Sequence, residues 1–236
     1  LEFTRLLKES GIKINWVASS RVNTISQGLM RAMAEVGLDT LYFGVETGSQ
    51  RVLDLMGKAA KLEQAVKSFE IAKQEGVKPM GAFILGYPGE TLDEMMQTIK
   101  FAINLDPDYA QFSVLTPYPG TPVYDELRAK GLLLTEDWDK YTVLEPLIKY
   151  ERFGYTAKDV GKMLRKAYYM FYFRPSYLRK HSHMIPVAIK TLFNAQIMPW
   201  LKRFFQGFTR TSRDYEYDSM ESLAANLPRE GDLRVS

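Results

Sequence analysis

The 236-residue sequence contains no cysteine. That removes disulfides, thiolate nucleophiles and cysteine-bound metal sites from this chain. A reducing compartment is the default for such a chain, although the count fixes none. Histidine is almost as scarce, with only His181 and His183. A His-x-His pair with no Cys, Asp or Glu beside it is a poor metal site, and no metal ligand is assigned. There is no Ser/His/Asp arrangement, Walker loop or G-x-G-x-x-G segment. No run of about 18 apolar residues exists, so no membrane-spanning helix is expected. The net charge of +3 is too small to point to nucleic acid, and no nucleic-acid partner is expected. What remains is ordinary globular chemistry, 46% hydrophobic and 25% charged, with enough material for one large domain or two small ones.

The chain opens without Met, inside a helical pattern. Leu1, Phe3, Leu6 and Leu7 recur at helical spacing and Gly11 follows as a stop. No signal peptide is legible. The expectation is a piece of a longer chain. Short apolar runs then alternate with amphipathic stretches. The runs cover 14–18, 40–45, 81–86 and 111–115, nearly continuous hydrophobics as strands buried on both faces require. Helical patterns fall at about 26–36, 62–74 and 91–105. Thr91 with Glu94, and Thr24 with Gln27, read as capping boxes. Gly37, Gly57 and Gly76 sit where helices would stop.

Strand and helix alternating in this way predict an α/β fold with a parallel sheet. The segments that follow the strands are Ser19-Ser20-Arg21, Glu46-Thr47-Gly48-Ser49, Gly86-Tyr87-Pro88-Gly89-Glu90 and Pro117-Tyr118-Pro119-Gly120. In a βα barrel these ends form one mouth, where ligands bind. An open doubly wound sheet puts its ligand there too. Periodicity does not separate the two architectures.

A second part begins near Leu132. Residues 132–155 read as a connector with Trp138, Tyr141 and Tyr150. A helix starts with Thr156 as N-cap and Asp159 in its first turn, and runs to about Phe173, where Arg174-Pro175 breaks it. Another helical stretch spans about 185–208, and from about 209 a polar, disordered tail is expected. Between Lys162 and Arg213 there is no Asp or Glu, but many Lys, Arg and aromatic residues. This stretch has two readings. It closes the fold with a solvated cationic face, or it lies on an anionic membrane surface or over a lipid-like substrate.

Taken together and in order, three segments carry a resemblance: Phe43-Gly44-Val45-Glu46-Thr47-Gly48-Ser49-Gln50, Phe83-Ile84-Leu85-Gly86-Tyr87-Pro88-Gly89-Glu90-Thr91, and Thr116-Pro117-Tyr118-Pro119-Gly120-Thr121-Pro122-Val123-Tyr124. With Trp16–Arg21 and Phe171-Tyr172-Phe173-Arg174-Pro175 they resemble the later strands of the radical S-adenosylmethionine (SAM) barrel. The likeness is to the subgroup with an upstream cobalamin-binding domain, typified by the anaerobic magnesium-protoporphyrin ester cyclases. It covers roughly 1–178. The resemblance implies the third to sixth strands of such a barrel over 1–131, a helical region over 132–208 and a tail over 209–236. It also implies SAM and a [4Fe–4S] cluster, with cobalamin possible, in a cytoplasmic parent enzyme acting on a small-molecule or lipid-like substrate. That parent would use a 5′-deoxyadenosyl radical for methylation, cyclisation or rearrangement at an unactivated carbon. The family's cluster motif CxxxCxxC is absent, so this chain alone is expected to be inactive.

The cofactor-binding residues this resemblance implies are Ser19, Arg21, Glu46, Ser49, Gly86, Pro88, Pro117 and Tyr118; no catalytic residue is assigned. Physically, Arg21 at a strand end suits the SAM carboxylate, though a surface ion pair accounts for it equally. Glu46 ends an apolar run, a costly place for a charge without a partner. The resemblance gives it the ribose or amine of SAM; the alternative is a cap on the following helix. Gly86 lets the chain approach adenine closely, or simply makes a tight turn. Glu90 reads as a structural charge in the first turn of the next helix. Two rival functions stay open: a non-catalytic peripheral membrane module on a βα scaffold, and a cluster-independent barrel enzyme.

Overall fold

The computed structural model describes residues 2–182. By its internal contacts the chain divides into two units, Leu1–Lys180 and His181–Ser236. All the helices and strands that follow lie in the first. The expected helix over 185–208 and the expected tail lie outside the described residues.

Four strands build the sheet: β1 Trp16–Arg21, β2 Leu38–Glu46, β3 Lys78–Leu85 and β4 Tyr109–Val114. Their spatial order is their chain order, and every neighbouring pair is parallel. The crossovers are α2 (Gln27–Glu35), then α3 (Gln50–Leu55) with α4 (Leu62–Gln74), then α5 (Leu92–Leu105). A helix α1 (Glu2–Ser10) precedes them, and α6 (Pro122–Ala129), α7 (Ala157–Tyr172) and α8 (Pro175–Lys180) follow. This order decides between the two open architectures. A doubly wound sheet reverses its strand order at a switch point; here nothing reverses. Successive right-handed crossovers put their helices on one face, as in a barrel wall.

The register explains the core. Phe43, Val45, Phe83, Leu85, Phe112 and Val114 face the helices and are buried with Met30, Phe69, Met95 and Ile99. Phe83 stacks on Phe112 at 5.3 Å, and Phe43 meets Phe69 at 5.0 Å. The opposite face presents Val17, Ser19, Arg21, Tyr42, Gly44 and Gln111, all exposed. The strands are therefore not buried on both faces, as their apolar runs suggested. Small and polar residues on alternate positions of β1 and β2 mark the open face.

The two edges differ. On β4 the Tyr168 hydroxyl donates to Phe112 O (2.9 Å) and accepts from Phe112 N (3.3 Å). The Tyr172 hydroxyl does the same at Ala110, at 2.7 and 3.1 Å. The match is metric. Four helical residues rise about 6 Å, and two strand residues about 6.6 Å. An i, i+4 tyrosine pair on α7 thus stands in for a fifth strand. One step further on, Val114 N donates to Val143 O (2.8 Å). Among the described residues, β1 pairs only with β2.

Helix ends largely follow the sequence. Thr91 with Glu94 and Thr156 with Asp159 form capping boxes. Gly37, Gly57 and Gly76 follow the helix ends with positive φ. Thr24 with Gln27 does not form one. Ser26 is the N-cap of α2, and the Thr24 hydroxyl instead donates to Arg21 O (2.9 Å). The first strand starts at Trp16, not at 14, because its pairing with β2 begins there. The expected boundary near 132 does not divide the first unit. Helix α7 packs on α5 and β4. Beyond it, Arg174 pairs with Asp106 and lies 4.1 Å over the Phe171 ring.

Candidate functional site at the carboxyl ends of the strands

Because the strands are parallel, Arg21, Glu46, Leu85 and Val114 end along one rim. The register puts Arg21 beside Gly44, and Gly44 beside Ala82. Paired residues point to the same face, so Arg21 and Gly44 share the open one, with Ser19 two residues back.

Glu46 is the unusual residue of the rim. Its φ is +71°, left-handed for a residue with a side chain, where β2 slips register against β3 between Gly44 and Glu46. Such a backbone costs on the order of 1–3 kcal/mol and persists only where its surroundings hold it. The slip folds the side chain back over Gly44, so that Oε1 would lie 3.1 Å from a Cβ there. The missing side chain at Gly44 is the space the carboxylate occupies. Lys58 Nζ donates to the same oxygen at 3.0 Å. The open face thus carries a carboxylate, an ammonium and, one strand over, a guanidinium. The sequence reading missed Lys58. The only signal for it is Gly57, which ends α3 with a φ of +67° and turns the chain back toward β2.

The residues after Glu46 turn inward. Gly48 N donates to Thr98 Oγ1 (2.9 Å), and Thr47 Oγ1 lies 3.0 Å from the same atom. A Cβ at Gly48 would lie 2.6 Å from Phe101 Cβ and 2.8 Å from Thr98 Cα, so only glycine fits against α5. Ser49 is buried. Its oxygen accepts from Val52 N (3.3 Å) as the cap of α3, and its hydroxyl donates to Glu94 Oε1 (2.9 Å). Both capacities are spent inside the scaffold, which places Ser49 away from the open face where a cofactor contact was expected. Glu94 also takes Arg51 Nε (2.8 Å), and Arg51 reaches on to Gly89 O (2.8 Å). The Arg51 guanidinium, with help from the Thr91 and Ser49 donors, holds the Glu94 carboxyl down at about 2 against the opposing effect of burial.

The loop after β3 is fixed from behind. Gly86 has a φ of +79°, and a Cβ there would lie 2.7 Å from the Tyr150 hydroxyl and 2.9 Å from Val160 Cγ1. The room glycine leaves is therefore filled by the chain itself rather than left for adenine. Glu90 lies before the cap Thr91, inside the loop rather than in the first helical turn, and is 1% exposed. Its Oε2 accepts from Gly86 N (2.7 Å) and Tyr87 N (3.1 Å), while the buried Oε1 has no protein partner. Burial pushes this carboxyl up to about 7, although both backbone donors pull it down.

Of the other expected contacts, Pro88 is half-buried on the rim and Pro117 is buried. Tyr118 is exposed, 6.4 Å from Tyr141, which lies 6.5 Å from the exposed Trp138. Among the described residues no group of three or more His, Cys, Asp or Glu could hold a metal. His183 lies outside the described residues. None of the described helices is long and apolar enough to cross a membrane.

A parallel wall with an open face and a braced rim is the wall of a partial βα barrel, and its rim is the candidate site. The radical SAM superfamily profile matches residues 1–102. An uncharacterized methyltransferase of Pyrococcus horikoshii is 43% identical over 197 residues, which are 81% of this chain and 42% of that protein. The anaerobic magnesium-protoporphyrin IX monomethyl ester cyclase of Rubrivivax gelatinosus is 27% identical over 91% of this chain and 38% of its own length. The chain thus spans less than half of these relatives. Among solved structures, the radical SAM methyltransferase TsrM from Kitasatospora setae, with cobalamin and a [4Fe–4S] cluster bound, matches with a TM-score of 0.52. It does so at 17% identity, over 69% of this chain and 33% of its own. That likeness speaks for the fold. Residues 1–102 of this chain are thus a radical SAM superfamily segment.

The family's two groups fare differently here. Cluster iron is held by thiolates, and this chain has none. Its residues do not fit the cluster. SAM needs a cation for its carboxylate, acceptors for its ammonium and ribose hydroxyls, and a surface for adenine. The open face meets that donor and acceptor set with Arg21, Lys58, Glu46 and the loop after β3.

Proposed function

We propose that this chain forms the SAM-binding wall of a radical SAM enzyme that acts on an unactivated carbon by methylation, cyclisation or rearrangement. The observation that carries the reading is the Glu46 carboxylate, held in left-handed backbone over Gly44 with Lys58 3.0 Å away. A strained ion pair on an exposed sheet face gains little as a stabilising feature, since exposed pairs contribute about 0–1 kcal/mol. It gains more as a ready binding site. In this reading Glu46 accepts from the ribose hydroxyls or the ammonium of SAM. Arg21 and Lys58 take its carboxylate. Tyr87 and Pro88 face the adenine. The exposed aromatic side of Tyr118 and Tyr141 lies toward the substrate, a small or lipid-like molecule. Two features support it: the superfamily match over 1–102, and relatives named as a methyltransferase and a cyclase. Cobalamin and the cluster belong, in this reading, to the longer protein, with the cluster thiolates supplied from outside this chain.

Calorimetric titration of the chain with SAM tests the proposal. Glu46→Gln removes the charge and keeps the shape. A lost charge-assisted hydrogen bond of about 1–3 kcal/mol predicts roughly 5- to 150-fold weaker binding. Unchanged affinity with an intact fold would remove Glu46 from the site.

A further inference from the structure

We propose that Tyr150 is a positioning residue for the Gly86–Glu90 loop, which it sets from behind without touching the ligand. The inference rests on the reading that this loop meets the adenosine of SAM. Tyr150 belongs to the connector, in a one-turn helix Tyr150–Phe153, far from the loop in sequence and fully buried. Its hydroxyl donates to Gly86 O at 2.8 Å, where β3 ends. That hydroxyl also fills the place of the missing Gly86 side chain. Its ring stacks on Tyr155 at 5.3 Å, and the Tyr155 hydroxyl donates to Glu90 O at 2.7 Å.

The first and last carbonyls of the loop are therefore each tied to a connector tyrosine. Its first two N–H groups are tied to Glu90, and Glu90 N donates to Tyr87 O (2.9 Å). The atoms tied to Glu90, Tyr150 and Tyr155 lie on the side away from solvent, while on the other side Gly89 O accepts from the exposed Arg51 (2.8 Å). Tyr87, Pro88 and Gly89 are left partly open on the other side. A strand-to-helix turn needs none of this, and the buried Glu90 carries a polar oxygen without a protein partner, which is costly. Such an arrangement suits a loop that must keep one shape before its ligand arrives, because affinity falls by the fraction of molecules out of that shape.

The test compares two substitutions with the same chemistry in the 236-residue chain. Tyr150→Phe removes the hydroxyl at the loop. Tyr172→Phe removes a buried hydroxyl at the β4 edge, away from the rim. The readouts are SAM affinity by calorimetry and amide exchange at Gly86 and Tyr87. Tyr150→Phe is expected to weaken SAM about tenfold and to speed exchange at both amides, with Tyr172→Phe within about twofold of the parent. Equal losses in both variants, or no loss in Tyr150→Phe, overturn the proposal. Should Tyr150→Phe fail to fold, Tyr155→Phe takes its place, with the same direction expected and an unchanged loop overturning it. A parent chain that does not bind SAM defeats the ligand reading instead. Loop exchange then decides Tyr150 by itself, with faster exchange supporting its hold on the loop and unchanged exchange overturning it.

Discussion

Glu90→Gln isolates the cost of the buried carboxyl in the loop after β3. In the fold this group titrates near 7, against an ordinary 4.5, because burial disfavours its charge. The folded state therefore holds the proton more tightly than the unfolded chain. The stability this gives is fully present below about pH 4.5 and is lost as pH rises toward 7. Holding the proton up to about 7 rather than 4.5 corresponds to roughly 3 kcal/mol, of which about 2.5 kcal/mol is lost between pH 5 and pH 8. At 1% exposure, solvent screens little of this. Glutamine keeps the shape, and its oxygen still accepts from Gly86 N and Tyr87 N. Its amide takes the place of Oε1, which has no protein partner, at a cost of about 1–3 kcal/mol that does not vary with pH. Arg51 and Glu94, the charged groups that act on Glu90, and both histidines are common to the two proteins and cancel in the difference. Urea unfolding followed by tryptophan fluorescence at pH 5, 6, 7 and 8 gives both profiles. The variant should gain about 2.5 kcal/mol on the parent across that range. Parallel profiles would refute the buried, proton-holding carboxyl.

Gly48→Ala forces a methyl against Phe101 and the Thr98 backbone, both under 3 Å away. It should cost about 1–3 kcal/mol in chemical denaturation, and a neutral result would mean the close approach to α5 is not real. Arg174→Ala removes the pair to Asp106 and the ring contact with Phe171; a loss of about 2 kcal/mol is expected in the same assay, with salt restoring none of it. Tyr168→Phe with Tyr172→Phe should cost about 1 kcal/mol for each hydroxyl and speed exchange at Ala110 and Phe112, and protected amides there would show that the edge is held otherwise. Anaerobic reconstitution with iron and sulfide should leave the chain without cluster absorption, because it has no thiolate; a stable cluster would require ligands of another kind.

The parallel sheet, its crossover helices and most helix ends were legible because each rests on a local pattern. Leu62–Gln74 was read with the bounds it has, from its apolar spacing. Thr156 and Asp159 announced α7, and Arg174-Pro175 its end. Helix α6 was not read from the sequence, although Thr121 followed by Pro122 is a cap and a first-turn proline. The places of Arg21 and Glu46 at strand ends were legible, because they follow from the pattern. The site was not legible at Lys58, Tyr150 or Arg51. Lys58 reaches Glu46 only through a turn in space, and Tyr150 reaches Gly86 from 64 residues away. Ser49 misled for the opposite reason. A serine after a strand looks available, and only the fold shows its hydroxyl spent on Glu94.

The two rim loops are not independent. Arg51 follows the β2 loop, which carries Glu46, and grips both Glu94 at the head of α5 and Gly89 in the β3 loop. Thr47 and Gly48 meet Thr98 on the same helix. A movement that releases Glu46 from its left-handed backbone must therefore pull on α5, and α5 carries the loop that Tyr150 and Tyr155 hold from the other side. The left-handed backbone at Glu46 is held amid these contacts. Its exposed partner Lys58 is outside the brace, on the turn after α3. In the proposed reading the rim sets a braced anion beside an exposed cation, an arrangement suited to a zwitterion whose two charges lie close together.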